Sequence, residues 1–179
     1  MKAVDKIKKL LNFYALDAYI VPKNDEFFGE YAFPNRLKTV SNFSGSAGFS
    51  IITRSNSYLF IDGRYLIQSK IESGRYFQIF EIPYTYPKDV LKTKDIKRVG
   101  YDPKLFTKLS LVKYFDYKYQ LIPIKTNLVD SVFKERSSKI NLFYKIDDKY
   151  AGESVLSKIN KLYKILKKNK SDSIFISAP

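Results

Sequence analysis

Polar and apolar positions change their period early in the chain. Val4, Ile7, Leu11 and Tyr14 recur at helical spacing among Lys and Asp residues, so Lys2 to Tyr14 predicts an amphipathic helix. Ala18 to Val21 is then apolar without a break and closes at Pro22, which predicts a strand covered on both faces of a sheet. A polar and aromatic loop, Lys23 to Asn35, and a short segment, Arg36 to Phe43, lead to two further apolar runs. These are Phe49 to Thr53 and Ser57 to Ile61, separated by the turn-prone Arg54-Ser55-Asn56.

Asp62 is placed to cap the next predicted helix, Arg64 to Ser73, in which Ile67 and Ile71 pair four positions apart and Gly74 ends the run. Tyr76 to Ile82 reads as a strand, Pro87 opens a short helix, and Val99 to Tyr101 is a short strand. Asp102-Pro103 gives another helix-start signal, after which Thr107 to Asp116 predicts a helix and Tyr119 to Ile124 a strand. Strands alternating with helices around an antiparallel hairpin predict an α/β fold, a mixed β-sheet flanked by helices.

A repeat sets the domain organisation. DKIKKLLNFYALDAYIVP near the start and SKINKLYKILKKNKSDSIFISAP at the end share one plan: amphipathic helix, polar break, aspartate, apolar strand, proline. In the later copy Val155, Ile159, Leu162 and Leu166 form the apolar stripe, Asp172 stands where Asp17 stood, and Ile174 to Ile176 reads as a central strand. A central strand without following partners leaves its backbone edges and apolar faces uncovered. The expected organisation is therefore one α/β domain over 1–145 and, over 146–179, the first helix and strand of a second, related α/β domain that is incomplete here.

Composition narrows the chemistry. In 179 residues, 45% hydrophobic and 16% aromatic, there is material for a real core without staples. Cysteine and histidine are both absent, which excludes a disulfide scaffold, a zinc ribbon, a Ser-His-Asp triad and a histidine-ligated metal site, and leaves carboxylate chemistry open. The net charge of +14 raises a nucleic-acid reading. The basic residues are dispersed, however, and the densest cluster, Lys164, Lys167, Lys168 and Lys170, falls on the polar side and end of a helix, where lysine suits the dipole. A solvated face is the preferred reading, so no nucleic-acid partner is expected. The lysines ahead of an apolar run at the start have the outline of a signal peptide, but Asp5, Lys6, Lys8, Lys9 and Asp17 interrupt it. No window approaches the roughly 18 apolar residues of a membrane span. The expectation is a cytoplasmic protein with no membrane partner.

Ser44-Gly45-Ser46-Ala47-Gly48 invites two catalytic readings and supports neither. A nucleophile elbow needs glycine where Ser44 stands, a following helix rather than a strand, and a base. A phosphate loop needs the Gly-Lys-Ser/Thr ending and a helix. What remains is glycine permitting a sharp turn into a buried strand. Asp62-Gly63-Arg64 reads first as a helix cap with a first-turn arginine, and second as a binding element. The Asp25-Glu26 and Asp147-Asp148 pairs are adjacent in sequence, so their side chains diverge and form neither an acid-base couple nor a metal cage.

The order of these segments resembles a known family. Asp17-Ala-Tyr-Ile-Val-Pro22, Glu30-Tyr31, Arg36 ahead of Phe43-Ser-Gly-Ser-Ala-Gly48, and Asp62-Gly-Arg-Tyr65 with Gln68 are similar to the amino-terminal domain of the cytosolic type of Xaa-Pro aminopeptidase (aminopeptidase P). Gly100-Tyr-Asp-Pro103, Asn127-Leu-Val-Asp130 with Val132, Phe133 and Arg136, and Tyr150-Ala-Gly152 continue the resemblance over nearly the whole chain. It implies a three-domain parent: two related creatinase-type α/β domains, then a catalytic domain holding two divalent metal ions, usually manganese, that activate water against a bond preceding proline. The ligand motifs of that domain are not in this sequence. By resemblance the amino-terminal domains shape the catalytic cleft and contribute to subunit contacts, which allows a homo-oligomer, and Arg36 matches a family arginine facing the substrate cleft. The alternative for Arg36 is a surface salt bridge. Two departures stand out: Phe27-Phe28 replaces His-Gln, and Asn42 replaces the glycine before Phe43, where asparagine tolerates left-handed backbone.

The expectation is thus a non-catalytic amino-terminal fragment, with no catalytic or metal-binding residue of its own, from an enzyme acting on peptides with proline second. The rival readings are a basic nucleic-acid-binding module and a free-standing non-enzymatic regulator.

Overall fold

The computed structural model describes residues 2–29, 33–92, 95–133 and 144–176, which fall in two units, 1–136 and 137–179. In the first unit the elements run α1 (Lys2–Phe13), β1 (Ala18–Pro22), α2 (Arg36–Ser41), β2 (Gly48–Thr53), β3 (Ser57–Asp62), a 3-10 turn (Gly63–Tyr65), α3 (Leu66–Ser73), β4 (Gln78–Ile82), α4 (Pro87–Leu91), β5 (Arg98–Tyr101), α5 (Lys108–Tyr114), β6 (Gln120–Pro123) and α6 (Leu128–Val132). The strands form one six-stranded sheet in the order β4-β3-β2-β1-β5-β6. β2 is antiparallel to both β1 and β3, and every other pairing is parallel, so β2 alone runs against the rest. The mixed sheet expected from the hairpin is there.

Period-two alternation divides the strand residues between two cores. Tyr19, Val21, Ile52, Leu59 and Ile61 face one side, where they meet Val4, Ile7 and Leu11 of α1, Leu37 and Val40 of α2, and Leu128 and Val129 of α6. Ala18, Ile20, Phe49, Ile51, Tyr58, Phe60 and Val99 face the other, against Leu91 and Phe115. The stripe predicted for α1 is thus its buried face, and each of Ile7 and Leu11, fully buried, contributes roughly 1.5–3 kcal/mol of apolar burial. β1 is buried at every position, as its unbroken apolar run requires.

Local differences from the sequence reading have local causes. Ile67 and Ile71 do pair on one side of a helix, but that side is exposed, at 77% and 80%, and α3 packs instead through Leu66, Ser69 and Ser73. Asp102-Pro103 starts no helix: Asp102 accepts the Lys104 N–H in a turn, and α5 begins at Lys108, capped by Thr107, whose side chain accepts the Ser110 N–H. Asn42 sits at φ 64 as the C-cap of α2, the left-handed position at which the sequence departs from glycine.

The second unit contains α7 (Asp148–Ala151), ended by Gly152 at φ 74, and α8 (Val155–Lys168), capped by Ser154 accepting the Ser157 N–H. α8 realises the predicted amphipathic helix, and Val155 and Ile159 of its stripe are exposed. The strand expected at Ile174–Ile176 does not form: no element is assigned there and Phe175 is 91% exposed. A strand is stabilised by the ladder it joins, and among the described residues no strand pairs with this segment.

Candidate functional site

Because five strands share one direction, their carboxyl ends and the start of β2 lie along a single rim. Open α/β sheets bind ligands at such rims. Here the rim carries a cleft of about 560 Å³. Its walls include Lys23 after β1, Ser46 before β2 and Gly48 at its start, Asp62 at the end of β3 and Arg64 after it, and Tyr114 of α5. Phe49 stacks on Phe60 at 5.0 Å and on Tyr114 at 4.4 Å beneath it. Gly48 enters β2 at φ +147, and a Cβ there would stand 2.8 Å from the Phe60 carbonyl oxygen, so the turn requires glycine.

The Ser44–Gly48 turn is tied to α3 by side chains from the recognised segments. Glu72 Oε2 accepts the Ser44 N–H and Oε1 accepts the Ser44 hydroxyl, both at 2.7 Å. Gln68 donates to Ser44 Oγ at 2.8 Å and to Glu72 at 3.1 Å, while Ser46 and Tyr65 share a hydrogen bond of 2.7 Å. Partial burial opposes ionisation of Glu72, but the bonds from Ser44 and Gln68 outweigh it and hold the carboxyl below its ordinary value. A carboxylate so held is a weak base, and Ser44 Oγ already accepts from Gln68. The arrangement anchors a turn and does not activate a nucleophile. Glu72 escaped the sequence reading; its signal was the spacing of four from Gln68.

Asp62 accepts the Arg64 N–H at 3.0 Å and Nε at 2.9 Å, which lowers its carboxyl below the ordinary value. It caps the 3-10 turn rather than α3 itself, so the capping role expected for it holds one turn earlier. Of the carboxylate pairs, Asp25 accepts the amides of Phe27 at 3.0 Å and Gly29 at 2.8 Å and shapes its own loop. Phe28, at the position of the sequence departure, lines the cleft at φ 59. Glu30-Tyr31 and Arg136 lie outside the described residues.

Arg36 does not line that cleft. It is buried at the start of α2, where Nε and Nη2 donate to the two oxygens of Asp130 in α6 at 2.9 and 2.8 Å. Burial works against its charge, but the paired bonds and the charge of Asp130 hold the guanidinium above its ordinary value. Nη1 is buried without a hydrogen-bond partner. Beside this pair a polar link crosses the same rim: Asn127 Nδ2 donates to Asp102 Oδ2 at 2.9 Å, and the Leu128 N–H donates to the Tyr19 hydroxyl at 3.4 Å. Burial pushes the Tyr19 phenol far above its usual range.

At the opposite end of the sheet Asp17 joins three elements. Its Oδ2 accepts the N–H groups of Lys97 at 3.0 Å and Arg98 at 2.9 Å, and its Oδ1 pairs with Arg54 Nη2 at 3.3 Å. Among the described residues no three carboxylates converge as a metal cage would require.

No family model matches the chain. A protein of Laccaria bicolor assigned as a Xaa-Pro aminopeptidase P is 32% identical over 185 residues, covering 96% of this chain and 29% of its own length. The X-prolyl aminopeptidase of Caenorhabditis elegans, described as a cytosolic enzyme with a di-nuclear active site, superposes with a TM-score of 0.73 at 25% identity, over 95% of this chain and 31% of that one. The N-terminal domain of the cytoplasmic peptidase PepQ from Mycobacterium tuberculosis, at 18% identity and a TM-score of 0.57, shares the fold over 73% of this chain and 98% of its own. The chain spans about 30% of the length of the curated relatives it matches. The chain is thus similar along nearly its whole length to the amino-terminal part of Xaa-Pro aminopeptidase P proteins, and it shares its fold with the N-terminal domain of a cytoplasmic peptidase.

Proposed function

We propose that the chain is the non-catalytic amino-terminal part of an Xaa-Pro aminopeptidase, a metallopeptidase that removes the first residue of peptides with proline second. Its first unit shapes the active-site cleft and the subunit contacts. The observation that carries this reading is the match to Xaa-Pro aminopeptidase P over 96% of this chain but only 29% of the relative. In this reading the two divalent ions, manganese by expectation, sit in sequence beyond these residues, and no step of the hydrolysis is assigned to this chain. Residues 146–179 open the second related domain, with 1–145 as the first. Arg36 orients α6 through Asp130 and is the residue of this chain assigned to the substrate cleft of the whole enzyme. The partner is a peptide rather than nucleic acid, and the subunit contacts allow a homo-oligomer. A cytoplasmic setting is supported by the cytosolic description of the worm enzyme, and no helix among the described residues is long and apolar enough to cross a membrane.

The 179-residue chain supplied with manganese and an Xaa-Pro dipeptide should release no amino acid above a buffer blank. Metal-dependent release by this chain alone sinks the non-catalytic assignment. When the chain is joined to the remaining two thirds of a relative, Arg36→Ala should raise KM more than it lowers kcat; an unchanged KM removes Arg36 from the cleft.

A further inference from the structure

The cleft on the rim continues past Tyr114. A second hollow of about 240 Å³ lies beside it, walled on its far side by Pro22, Leu105 and Phe106, and the two share Asn24, Phe28, Gly48, Phe49 and Tyr114. The larger hollow lies over β3 and β2 and reaches Ile82 at the end of β4; the smaller lies over the end of β1 and the segment after β5. Together they cross the rim from β4 to β5, four strand spacings or about 19 Å. Six residues of extended chain cover that distance at about 3.1 Å each.

The wall between the hollows is a row of rings set edge on. Phe49 carries Phe60 on one face at 5.0 Å and Tyr114 on the other at 4.4 Å, and Tyr114 is stacked in turn on Tyr86 at 6.5 Å. Rings whose faces cover one another offer their edges, a ridge instead of a platform. A nucleobase needs an open face to stack on, whereas a chain that straddles a ridge, with one side chain down on each side, needs the ridge itself. Phe28, 53% exposed, carries the ridge out to solvent. Charge narrows the occupant further. Among the described residues lining the larger hollow, Lys23 and Arg64 outnumber Asp62, a balance that suits one carboxylate and falls short of the run of phosphates from which nucleic acid draws its affinity.

We propose that the paired hollows bind one peptide segment in the polyproline II conformation, with a proline or other apolar side chain on each side of the Phe28-Phe49-Tyr114 ridge and a carboxylate beside Lys23. That conformation repeats every three residues, about 9.3 Å, against about 9.6 Å for the two strand spacings that separate the hollows. It is stiff before it binds, which lowers the cost of ordering it on an aromatic groove. The inference rests on the reading of this rim as part of a peptide-handling cleft, and adds the conformation and charge of the segment that lies there.

The probe is a hexapeptide of five prolines and a terminal glutamate, acetylated so that it has no free amine for an aminopeptidase. Titrated into the 179-residue chain and followed by amide NMR shifts, it should move Gly48, Asp62 and Phe106, which report on the ridge and on both hollows. It should bind at least about tenfold tighter than an acetylated alanine-glycine hexapeptide ending in the same glutamate. Phe28→Gln, a change at an exposed ring, should weaken binding roughly fivefold, and a probe ending in glutamine amide should bind about threefold more weakly and with less dependence on salt. Equal affinity for the two acidic peptides, shifts confined to one hollow, or a Phe28→Gln chain that binds as the parent does overturns the inference. So does a thymidine hexanucleotide that moves the same amides at lower concentration than the proline peptide. The blocked probe keeps this readout apart from hydrolysis. Binding of it, with no cleavage of Xaa-Pro when the chain is joined to the rest of a relative, keeps the inference and refutes the proposed function; cleavage by that fusion without binding of the probe does the reverse.

Discussion

Replacing Asp130 with alanine strands the guanidinium of Arg36. The arginine side chain is only 9% exposed, whereas that of Asp130 is 41% exposed. Breaking a fully buried ion pair costs roughly 3–5 kcal/mol. Water entering beside α6 recovers part of that, because one partner is already near solvent, so Asp130→Ala should cost about 2 kcal/mol. The converse change, Arg36→Met, keeps the packed stem and leaves a carboxylate that water can reach, and should cost about 1 kcal/mol. The order of the two variants is the sharper prediction, since it follows from which partner is buried rather than from the strength of the bond. Urea unfolding followed by near-ultraviolet circular dichroism reads the aromatic stack of the first unit. With a slope of about 1.5 kcal/mol per molar urea for a domain of this size, the midpoints should fall by about 1.3 M and about 0.7 M. An Arg36→Met variant as unstable as Asp130→Ala, or more so, would refute the reasoning.

Gly48→Ala places a methyl group against the Phe60 carbonyl at a positive φ and should destabilise the first unit by at least about 2 kcal/mol, measured by the same titration. Tyr119 has its hydroxyl buried without a partner, and burial, aided by Asp116 and Asp89, pushes the phenol up to about 12. A raised folded value means stability intact below about pH 10 and lost as pH climbs through the folded value. Tyr119→Phe should therefore be neutral or up to about 1 kcal/mol more stable at pH 7, and lose less Tm than the parent between about pH 10 and 12. Glu72 has the opposite sign: its lowered carboxyl contributes stability that is complete above about pH 5 and disappears as pH falls through the folded value. Glu72→Gln should flatten the acid limb of the Tm profile, and an unchanged limb removes the role assigned to this carboxylate.

Elements that depend on local period were legible. The helix at Lys2–Phe13 and the strands flanking Arg54-Ser55-Asn56 follow from spacing within a few residues. What spacing cannot report is which face a helix turns inward. Ile67 and Ile71 are as regular a pair as Ile7 and Leu11, yet the small hydroxyls of Ser69 and Ser73 pack inward and the isoleucines do not. Ser69 and Ser73 can do so because their hydroxyls are satisfied by the carbonyls of Leu66 and Ser41 at 3.0 and 2.8 Å. Long-range polar partners were equally hidden: Arg36 and Asp130 are 94 positions apart, and neither residue type names the other. Asp17 was visible only as a repeated letter, because an aspartate that receives backbone amides leaves no mark on the residues that supply them.

The single reversed strand explains why the recognised segments gather on one rim. With β2 running against β1 and β3, its first residue, Gly48, lies beside their last, Pro22 and Asp62. Gly48 is paired with Ile61, so the Ser44–Gly48 turn arrives at the mouth of the Asp62-Gly63-Arg64 turn and both can be tied to α3 through Tyr65, Gln68 and Glu72. An all-parallel sheet would send β2's opening turn to the opposite end and separate these segments by the length of a strand, about 17–20 Å for five or six residues. On this rim Ser44 is held by Glu72 and Gln68, Ser46 by Tyr65 and Asp62 by Arg64, and Gly48 allows the close approach of its backbone to Phe60. Groups tied to one another in this way make a rim of fixed shape, which suits the cleft-shaping role proposed for it.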